Sequence, residues 1–203
     1  MLDAFSDAVP ERLELVDYWP DFEKNFWETG APGFWKLERQ QVFKEPFEPS
    51  WVAFAAGDWD GAIRIIHEKR DDFSRYYQRI AEQGFINRRV RIVEKPISPY
   101  LQWELHLLAL RHEFGGLTRV VDVAEVAPYE KRGPLPEIYT LGTAVMYEAV
   151  YDEDGVLAAA NRFTDKALII ECQQFIERLY ESGEPLDEFM ARCVVHLDPP
   201  TGP

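Results

Sequence analysis

The sequence predicts an α+β fold with a mixed, largely antiparallel sheet and helices packed on it. Residues 100–114 are apolar on nearly every side, which is typical of a buried helix. They lie between residues 88–93, which alternate between polar and apolar as a half-buried strand does, and residues 118–123, which are predicted to form another strand. A strand, a helix and a second strand of similar length favour a crossover within one sheet. A hairpin turn at residues 152–155 then adds antiparallel strands.

Three regions are predicted along the chain. Residues 1–49 form an N-terminal extension with little regular structure, residues 50–198 a single α+β domain, and residues 199–203 a disordered tail. Residues 34–39 are too apolar to remain in solvent. We therefore expect the extension to pack on the body of the protein, with a short helix as one way of doing so.

Capping residues mark where the helices begin. Ser50 is expected to cap a first helix, and Asp58 or Asp60 to open a longer one that continues to Gly84. These two helices give the fold an N-terminal helical segment. Ser98 is expected to cap the buried helix, because a proline at the first helical position follows it.

Two further helices are predicted near the end of the chain. Thr164 or Asp165 is expected to open a long helix that ends at Ser182, where a glycine follows. A short helix over residues 186–191 comes next.

The charge balance argues against a dedicated nucleic-acid binder. The chain of 203 residues has a formal net charge of −14, whereas contacts to phosphates need a basic surface. Residues 61–131 are weakly basic, with twelve basic and ten acidic groups, and both flanking segments are acidic. A local anion site and an ordinary solvated surface are both compatible with this distribution. No direct contact with nucleic acid is expected.

The sequence shows no sign of export or of membrane insertion. Residues 1–5 lack the basic and apolar regions of a signal peptide. No segment approaches the ~20 apolar residues that a membrane span needs. We therefore expect a cytoplasmic protein without membrane contact, in which Cys172 and Cys193 are free thiols of the core.

The common catalytic and cofactor motifs are missing. The chain has neither a Gly-rich nucleotide-binding loop nor a nucleophile elbow. Glu104 and His106 would face different sides of a helix, and a single pair such as His67 and Asp71 is common on charged helices. The sequence therefore predicts no catalytic residue, no metal and no cofactor, which favours binding over catalysis.

An arginine-rich strand is the sharpest charged feature of the sequence. Arg89 and Arg91 share one face of this strand, whereas Arg88 points to the other. One interpretation is that this face holds an anion or a carboxylate bidentately. The other is an arginine ladder paired with acidic residues such as Glu94 and Glu104.

Glu104 is predicted to need a partner inside the protein. It lies between two apolar residues on the buried helix, and a buried carboxylate must be paired or neutral. Arg89 or Arg91 is the expected partner, either as a structural clamp or as one wall of a pocket. Trp51 is a further candidate for lining such a pocket.

Several short motifs resemble an uncharacterised protein family. They are residues 34–39, 49–51, 57–59, 89–91, 99–104 and 151–155. From about residue 30 to residue 198 the chain is similar to an actinomycete domain of unknown function, number six-eight-seven-nine. Members of that family are often encoded beside helix-turn-helix regulators, so the resemblance implies a protein partner of that kind.

Six side chains within these motifs are candidates for binding a ligand or a partner. They are Arg39, Trp51, Arg89, Arg91, Tyr100 and Glu104.

The second half of the chain, about residues 86–182, also resembles one half of a phospholipase D-like fold. Some bacterial regulators use that fold without catalysis. Catalytic members have a histidine followed two residues later by lysine, whereas His196 is followed by Leu197 and Asp198. The resemblance therefore implies a non-catalytic version of the fold.

Three functions remain open from the sequence. The first is a non-enzymatic regulatory or adaptor protein that binds a protein partner, with a helix-turn-helix transcription regulator as the expected partner and a homodimer as a further option. The second is a sensor or binding module for a small anionic ligand. The third is an unfamiliar biosynthetic enzyme.

Overall fold

The structure, a computed structural model, describes residues 5, 7–31, 33–200 and 202. In this part of the chain the strands form one sheet, and helices pack on both of its faces. The strands are β1 (Glu11–Glu14), β2 (Phe34–Glu38), β3 (Asn87–Val93), β4 (Gly116–Asp122), β5 (Ile138–Leu141), β6 (Val145–Tyr151), β7 (Leu157–Phe163) and β8 (Glu184–Pro185). The helices are α1 (Leu15–Trp27), α2 (Pro49–Ala55), α3 (Trp59–Glu68), α4 (Arg70–Glu82), α5 (Pro99–Glu113), α6 (Val123–Val126), α7 (Lys166–Ser182) and α8 (Leu186–Cys193).

The sheet is mixed, with the strand order β1-β7-β6-β5-β2-β3-β4-β8. The strands β2, β3 and β4 are parallel neighbours. The other neighbouring pairs are antiparallel. The predicted α+β class and the predicted mixed, largely antiparallel sheet are confirmed. The parallel strands β3 and β4 are joined by α5, as the strand–helix–strand pattern indicates.

One face of the sheet carries an apolar core. Leu37, Val90, Ile92 and Ile138 are fully buried there. They pack against α7, whose Cys172 belongs to the same core. Cys172 and Cys193 form no disulfide. Burial raises the pKa of the Cys172 thiol to about 12, so this thiol is protonated at neutral pH.

The opposite face of the sheet carries the charged residues. Because alternate residues of a strand point to opposite sides, Lys36 and Glu38 of β2 lie on this face beside Arg89 and Arg91 of β3. Three helices, α1, α4 and α5, cover this face. Aromatic side chains of α1 and α4 pack there against Tyr139 of β5.

The crossover helix α5 begins and ends as expected. The Ser98 Oγ accepts a hydrogen bond from the Leu101 N–H at 3.1 Å, and Pro99 takes the first helical position. Apolar residues on two sides of α5 belong to two separate cores. Leu105 packs towards α8, whereas Trp103 packs towards α2 and α3. This accounts for a helix that is apolar all round.

Residues 34–38, for which a short helix was one option, form the strand β2. Two expectations about the N-terminal half are wrong. The helix α2 is capped by Glu48, whose carboxylate accepts a hydrogen bond from the Ser50 N–H at 3.2 Å, so Ser50 is not the cap. The predicted long helix is interrupted at Lys69 and forms α3 and α4.

The break at Lys69 has a tertiary cause. The helix α3 packs on the core around Trp103, whereas α4 packs on the aromatic cluster around Tyr139. One straight helix could not bury both apolar faces, although the local periodicity continues through residue 69. Asp58 caps α3 and Asp165 caps α7, which confirms one of the two candidate caps in each case.

The segment 1–49 contributes regular structure to the sheet. β1, α1 and β2 come from it, and β2 lies between β5 and β3. The helix α1 was not predicted, because its interior proline, Pro20, disfavours a helix. Within the segment and the predicted tail 199–203, residues 1–4, 6, 32, 201 and 203 lie outside the described residues. The boundaries at residues 49 and 198 stay predictions.

Across the described ranges, every helix is too short or too polar to cross a membrane.

Candidate functional site

A cavity of about 530 Å³ lies between the charged face of the sheet and helices α1, α4 and α5. Eleven aromatic side chains line it, together with leucines of α5. Trp19 and Phe47, which are 52% and 91% exposed, lie where the cavity opens to solvent. Pockets for small molecules have volumes of roughly 300–1,000 Å³. The cavity is thus large enough for a small-molecule ligand.

The floor of the cavity is set by the register of β2 and β3. Lys36 is paired with Arg89 and Glu38 with Arg91 across these two strands. Glu38 accepts from both neighbouring cations: Lys36 Nζ lies 2.5 Å from its Oε1, and Arg89 Nη1 donates to its Oε2. Parallel pairing of alternating sequences therefore places acidic and basic groups side by side.

Glu38 is held in its charged form although it is buried. Burial by itself would raise the pKa of its carboxyl group. The positive charges of Arg89, Lys36 and Arg91 outweigh this effect and lower the pKa well below its usual range. The floor is thus an ionic network that stays charged at neutral pH, with two cations around one carboxylate.

A second buried ion pair lies beside this floor. Arg91 Nε donates to Glu104 Oε2 at 2.7 Å, so Arg91 is the one of the two predicted partners that pairs with Glu104. The same guanidinium donates through Nη1 to the carbonyl oxygens of Glu38 and Ile92, whereas its buried Nη2 has no hydrogen-bond partner among the described residues. Burial raises the pKa of Glu104, and the charge of Arg91 only partly opposes this.

Glu45 reaches the cavity from the loop before α2. Its Oε1 accepts a hydrogen bond from the Tyr100 hydroxyl at 2.5 Å. The Tyr100 oxygen also lies 3.4 Å from Glu104 Oε1. Burial raises the pKa of Glu45; the hydrogen bond from Tyr100 lowers it, and the nearby charge of Glu104 raises it further. Within the described residues, Glu45 forms no ion pair with a basic side chain.

Arg111 reaches the cavity from the other end of α5. Its guanidinium packs 4.8 Å from the ring of Phe73, and its buried Nε has no hydrogen-bond partner among the described residues. It also forms no ion pair with any acidic residue in the described ranges. Asn87 and Tyr76 line the same cavity, and no described residue accepts a hydrogen bond from the Asn87 amide or the Tyr76 hydroxyl.

The two ends of the cavity follow from the geometry of α5. Tyr100, Glu104, Leu107 and Arg111 recur at helical spacing, so they share the side of the helix that faces the cavity. Eleven residues separate Tyr100 from Arg111, which is about 16 Å along a helix axis. One end of the cavity therefore carries Tyr100 with Glu45, and the other carries Arg111.

Another titratable group lies close to the floor without lining the cavity. Glu137 Oε1 accepts hydrogen bonds from the backbone N–H groups of Arg39 and Gln40, at 2.6 and 2.5 Å. Its Oε2 is buried without a partner among the described residues. Burial and the nearby charge of Glu38 raise the pKa of Glu137 to about 7, against an opposing effect of Arg91.

The structure brings together some of the predicted site residues. Arg89, Tyr100 and Glu104 line the cavity, and Arg91 is fully buried next to it. The other two, Arg39 and Trp51, lie elsewhere.

Arg39 and Trp51 do not line the cavity. Arg39 pairs with Glu130 at 2.6 Å and with Glu94 at 2.9 Å. Trp51 packs beside the core that contains Trp103, and its buried Nε1 has no hydrogen-bond partner among the described residues.

Sequence reasoning missed several residues of the site. Asn87 and Arg111 could have been found, because Asn87 lies two residues before Arg89 on one strand face and Arg111 lies seven residues after Glu104 on the helix. Glu45 carries no such signal, because its loop reaches the cavity only through tertiary packing.

The histidines do not form a metal site in the described ranges. In the part of the chain that the structure describes, no three histidine, cysteine or acidic side chains are grouped as metal ligands. Burial lowers the pKa of His106, and the nearby His67 lowers it further.

The fold and the cavity define a class: an α+β domain whose mixed sheet forms the charged floor of an aromatic-walled pocket. The chain belongs to the family described as a domain of unknown function (DUF6879), whose model matches residues 20–191. This confirms the resemblance that the sequence motifs indicate. The matched span begins within α1 and includes β2. No match was found among curated proteins. The phospholipase D-like resemblance is not confirmed and stays a prediction.

Proposed function

We propose that this protein is a binding module for a small anionic ligand, which it holds in the cavity over the sheet. The observation that carries this proposal is the state of Arg111, a guanidinium that lines the cavity and forms no ion pair with a described residue. A partly buried cation without a counter-ion is costly. An anion bound in the cavity would supply the missing partner.

Neighbouring groups support the same role. Arg89 lines the cavity and uses one N–H to bind Glu38, so further guanidinium donors are left for a ligand. The amide of Asn87 and the hydroxyl of Tyr76 add neutral donors. Carboxylate and phosphate groups are the anions that arginine binds best, since its planar fork matches their oxygen atoms.

The aromatic walls favour an organic anion over a simple inorganic ion. Rings of Phe26, Phe34 and Tyr76 lie near one another, with centroids 5.6 Å apart for the first two and 6.1 Å for Phe26 and Tyr76. Such a wall offers apolar surface to a ligand whose charged group reaches the arginines. A ligand with both an apolar part and a carboxylate fits this cavity.

The test is calorimetric titration of the protein with benzoate, phenylacetate, hexanoate and inorganic phosphate. We expect an aromatic or alkyl carboxylate to bind, and Arg111→Gln to weaken its binding by about tenfold or more, since one charge-assisted contact is lost. Arg64→Gln is the matched control, because Arg64 is an exposed residue that pairs with Glu68. The control should bind like the wild type.

Two results would overturn this proposal. One is the absence of saturable binding for all four probes. The other is equal binding by the wild type and Arg111→Gln. A melting curve of each variant shows whether it is folded, and Arg111→Lys provides a second variant that keeps the positive charge.

A second proposal is a regulatory or adaptor role, in which the protein binds a protein partner such as a helix-turn-helix transcription regulator. The exposed apolar side chains near the mouth of the cavity favour it. Phe47 is 91% exposed, and Val16 and Trp19 of α1 are 78% and 52% exposed. The net charge of −14 favours a partner with a basic surface.

This second proposal is tested with purified components. A candidate regulator is titrated with the wild-type protein and with the double variant Trp19→Ser, Phe47→Ser. Loss of binding in the double variant supports the proposal. Binding that is insensitive to these residues, or no binding to any regulator tested, contradicts it.

A further inference from the structure

The charged residues that line the cavity can be sorted by their partners. Glu38 pairs with Lys36 and Arg89, Glu104 with Arg91, Glu48 with Lys69, and Lys44 with Asp154. The remaining two charged residues are Glu45 and Arg111. Within the described residues, neither of them forms an ion pair. Among the described residues, these are the two charged groups of the lining that lie outside the ion pairs, one acidic and one basic.

These two groups lie at opposite ends of the cavity. Glu45 is bonded to the Tyr100 hydroxyl near the start of α5, and Arg111 lies near its end. The Tyr100 hydroxyl also lies 3.4 Å from Glu104 Oε1, and Glu104 precedes Arg111 by seven positions, about 10 Å along a helix axis. Among the described residues no ion pair joins Glu45 and Arg111, so the two groups do not neutralise each other in direct contact.

We propose that the ligand of this cavity is an elongated zwitterion, with a carboxylate or phosphate at the Arg111 end and an ammonium group at the Glu45 end. This inference rests on the proposed function and extends it from an anion to a molecule with two charges. The Tyr100 hydroxyl donates to Glu45 Oε1, and no described residue donates to Oε2, which leaves that oxygen for an amine. Asn87, which is paired with Gly116 just after the end of α5, adds a donor at the anionic end.

The middle of the cavity fits an apolar spacer. Leu107 and Leu108 of α5 lie between the two ends in sequence and line the cavity. Tyr139 and Phe34 of the sheet line it as well, with ring centroids 6.1 Å apart. A hydrocarbon or aromatic middle segment would therefore contact apolar surface along its length.

The probes for this inference are linear ω-amino carboxylic acids of about 6 to 12 carbon atoms, a range chosen for the helix length between the two ends. Each is compared by calorimetry with the n-alkyl carboxylate and the n-alkylamine of the same length. We expect affinity to peak at one chain length. At that length the amino acid should bind about tenfold or more tightly than either single-charge analogue, because each end adds a charge-assisted contact.

Two variants test which end of the cavity binds which charged group of the ligand. Glu45→Gln should remove the advantage of the amino acid over the carboxylate of the same length. Arg111→Gln should remove the advantage over the amine. Glu68→Gln is the control, because this exposed carboxylate pairs with Arg64 far along α3.

The outcomes separate this inference from the proposed function. If carboxylates bind and an added amino group gives no gain at any length, the zwitterion is wrong and the anion-binding module stands. If neither carboxylates nor amino acids bind, both proposals fall. The affinity of the wild type for the amino acid, relative to its affinity for each single-charge analogue of the same length, tests the zwitterion proposal even if a variant does not fold.

Discussion

The guanidinium of Arg91 and the carboxylate of Glu104 form an ion pair in the interior of the protein. The Nε–Oε2 distance is 2.7 Å, and the side chains are 0% and 6% exposed. This pair joins the central strand β3 to α5, the helix that follows it in the chain. It fixes the helix over the charged face of the sheet and thereby the height of the cavity.

Removing one partner of this pair should destabilise the protein strongly. Arg91→Met leaves Glu104 buried without its cation, and we expect the free energy of unfolding to fall by about 3–5 kcal/mol. The double variant Arg91→Met, Glu104→Leu should lose less, because no unpaired charge remains. Urea unfolding of the three proteins measures both effects. A double variant that is less stable than Arg91→Met would contradict this account.

Glu137 should make stability depend on pH. Its pKa in the folded protein is about 7 against an ordinary value of 4.5. Since the folded-state pKa is raised, the contribution of Glu137 is fully present below the unfolded value and is lost as the pH rises through 7. Between pH 5 and pH 8 the loss is on the order of 3 kcal/mol.

Glu137→Gln separates this effect from those of the other buried acids. The amide oxygen can still accept from the N–H groups of Arg39 and Gln40, and the side chain no longer ionises. We expect the variant to be more stable than the wild type at about pH 8 and its stability to depend less on pH. Denaturant midpoints over this range measure it, and parallel pH profiles for the two proteins would show the prediction to be wrong.

Gly116 allows β4 to pass close to α4. A Cβ atom at this position would lie 2.3 Å from the Tyr77 hydroxyl oxygen and 3.0 Å from the carbonyl oxygen of Arg111. Gly116→Ala should therefore cost about 1–3 kcal/mol or more through overpacking. In a Tyr77→Ala background the cost should be smaller, since the two nearest atoms, the hydroxyl oxygen and Cζ at 2.6 Å, are both removed. Additive effects in this double-mutant cycle would argue against the contact.

The cap of α7 contributes to stability. Asp165 accepts a hydrogen bond from the Leu168 N–H at 3.0 Å at the start of the long helix that covers the apolar core. Asp165→Ala should lower the free energy of unfolding by about 1 kcal/mol. Asp165→Asn is the control, because asparagine caps helices nearly as well. Equal losses in the two variants would show that the cap bond is not responsible.

The local sequence was sufficient to predict the features that depend only on interactions between residues close together in the chain. Ser98 was identified as a helix cap and Asp165 as one of two candidates, because a cap acts through backbone groups two or three residues away. The strand β3, the buried helix α5 and the hairpin of β6 and β7 also follow from patterns of a few residues. The partner of Glu104 could be narrowed to two arginines, since both lie on the adjacent predicted strand.

The sequence by itself thus determined the fold class, most elements after residue 50 and the need for a buried partner of Glu104. Only the tertiary structure decided that β2 lies in the middle of the sheet, that the helix breaks at Lys69, and that Glu45 and Arg111 share a cavity with Arg89. The physical reason is the range of the interactions. Caps and periodicity act within one or two turns, whereas strand order and the lining of a cavity depend on which apolar surfaces pack together across the whole chain.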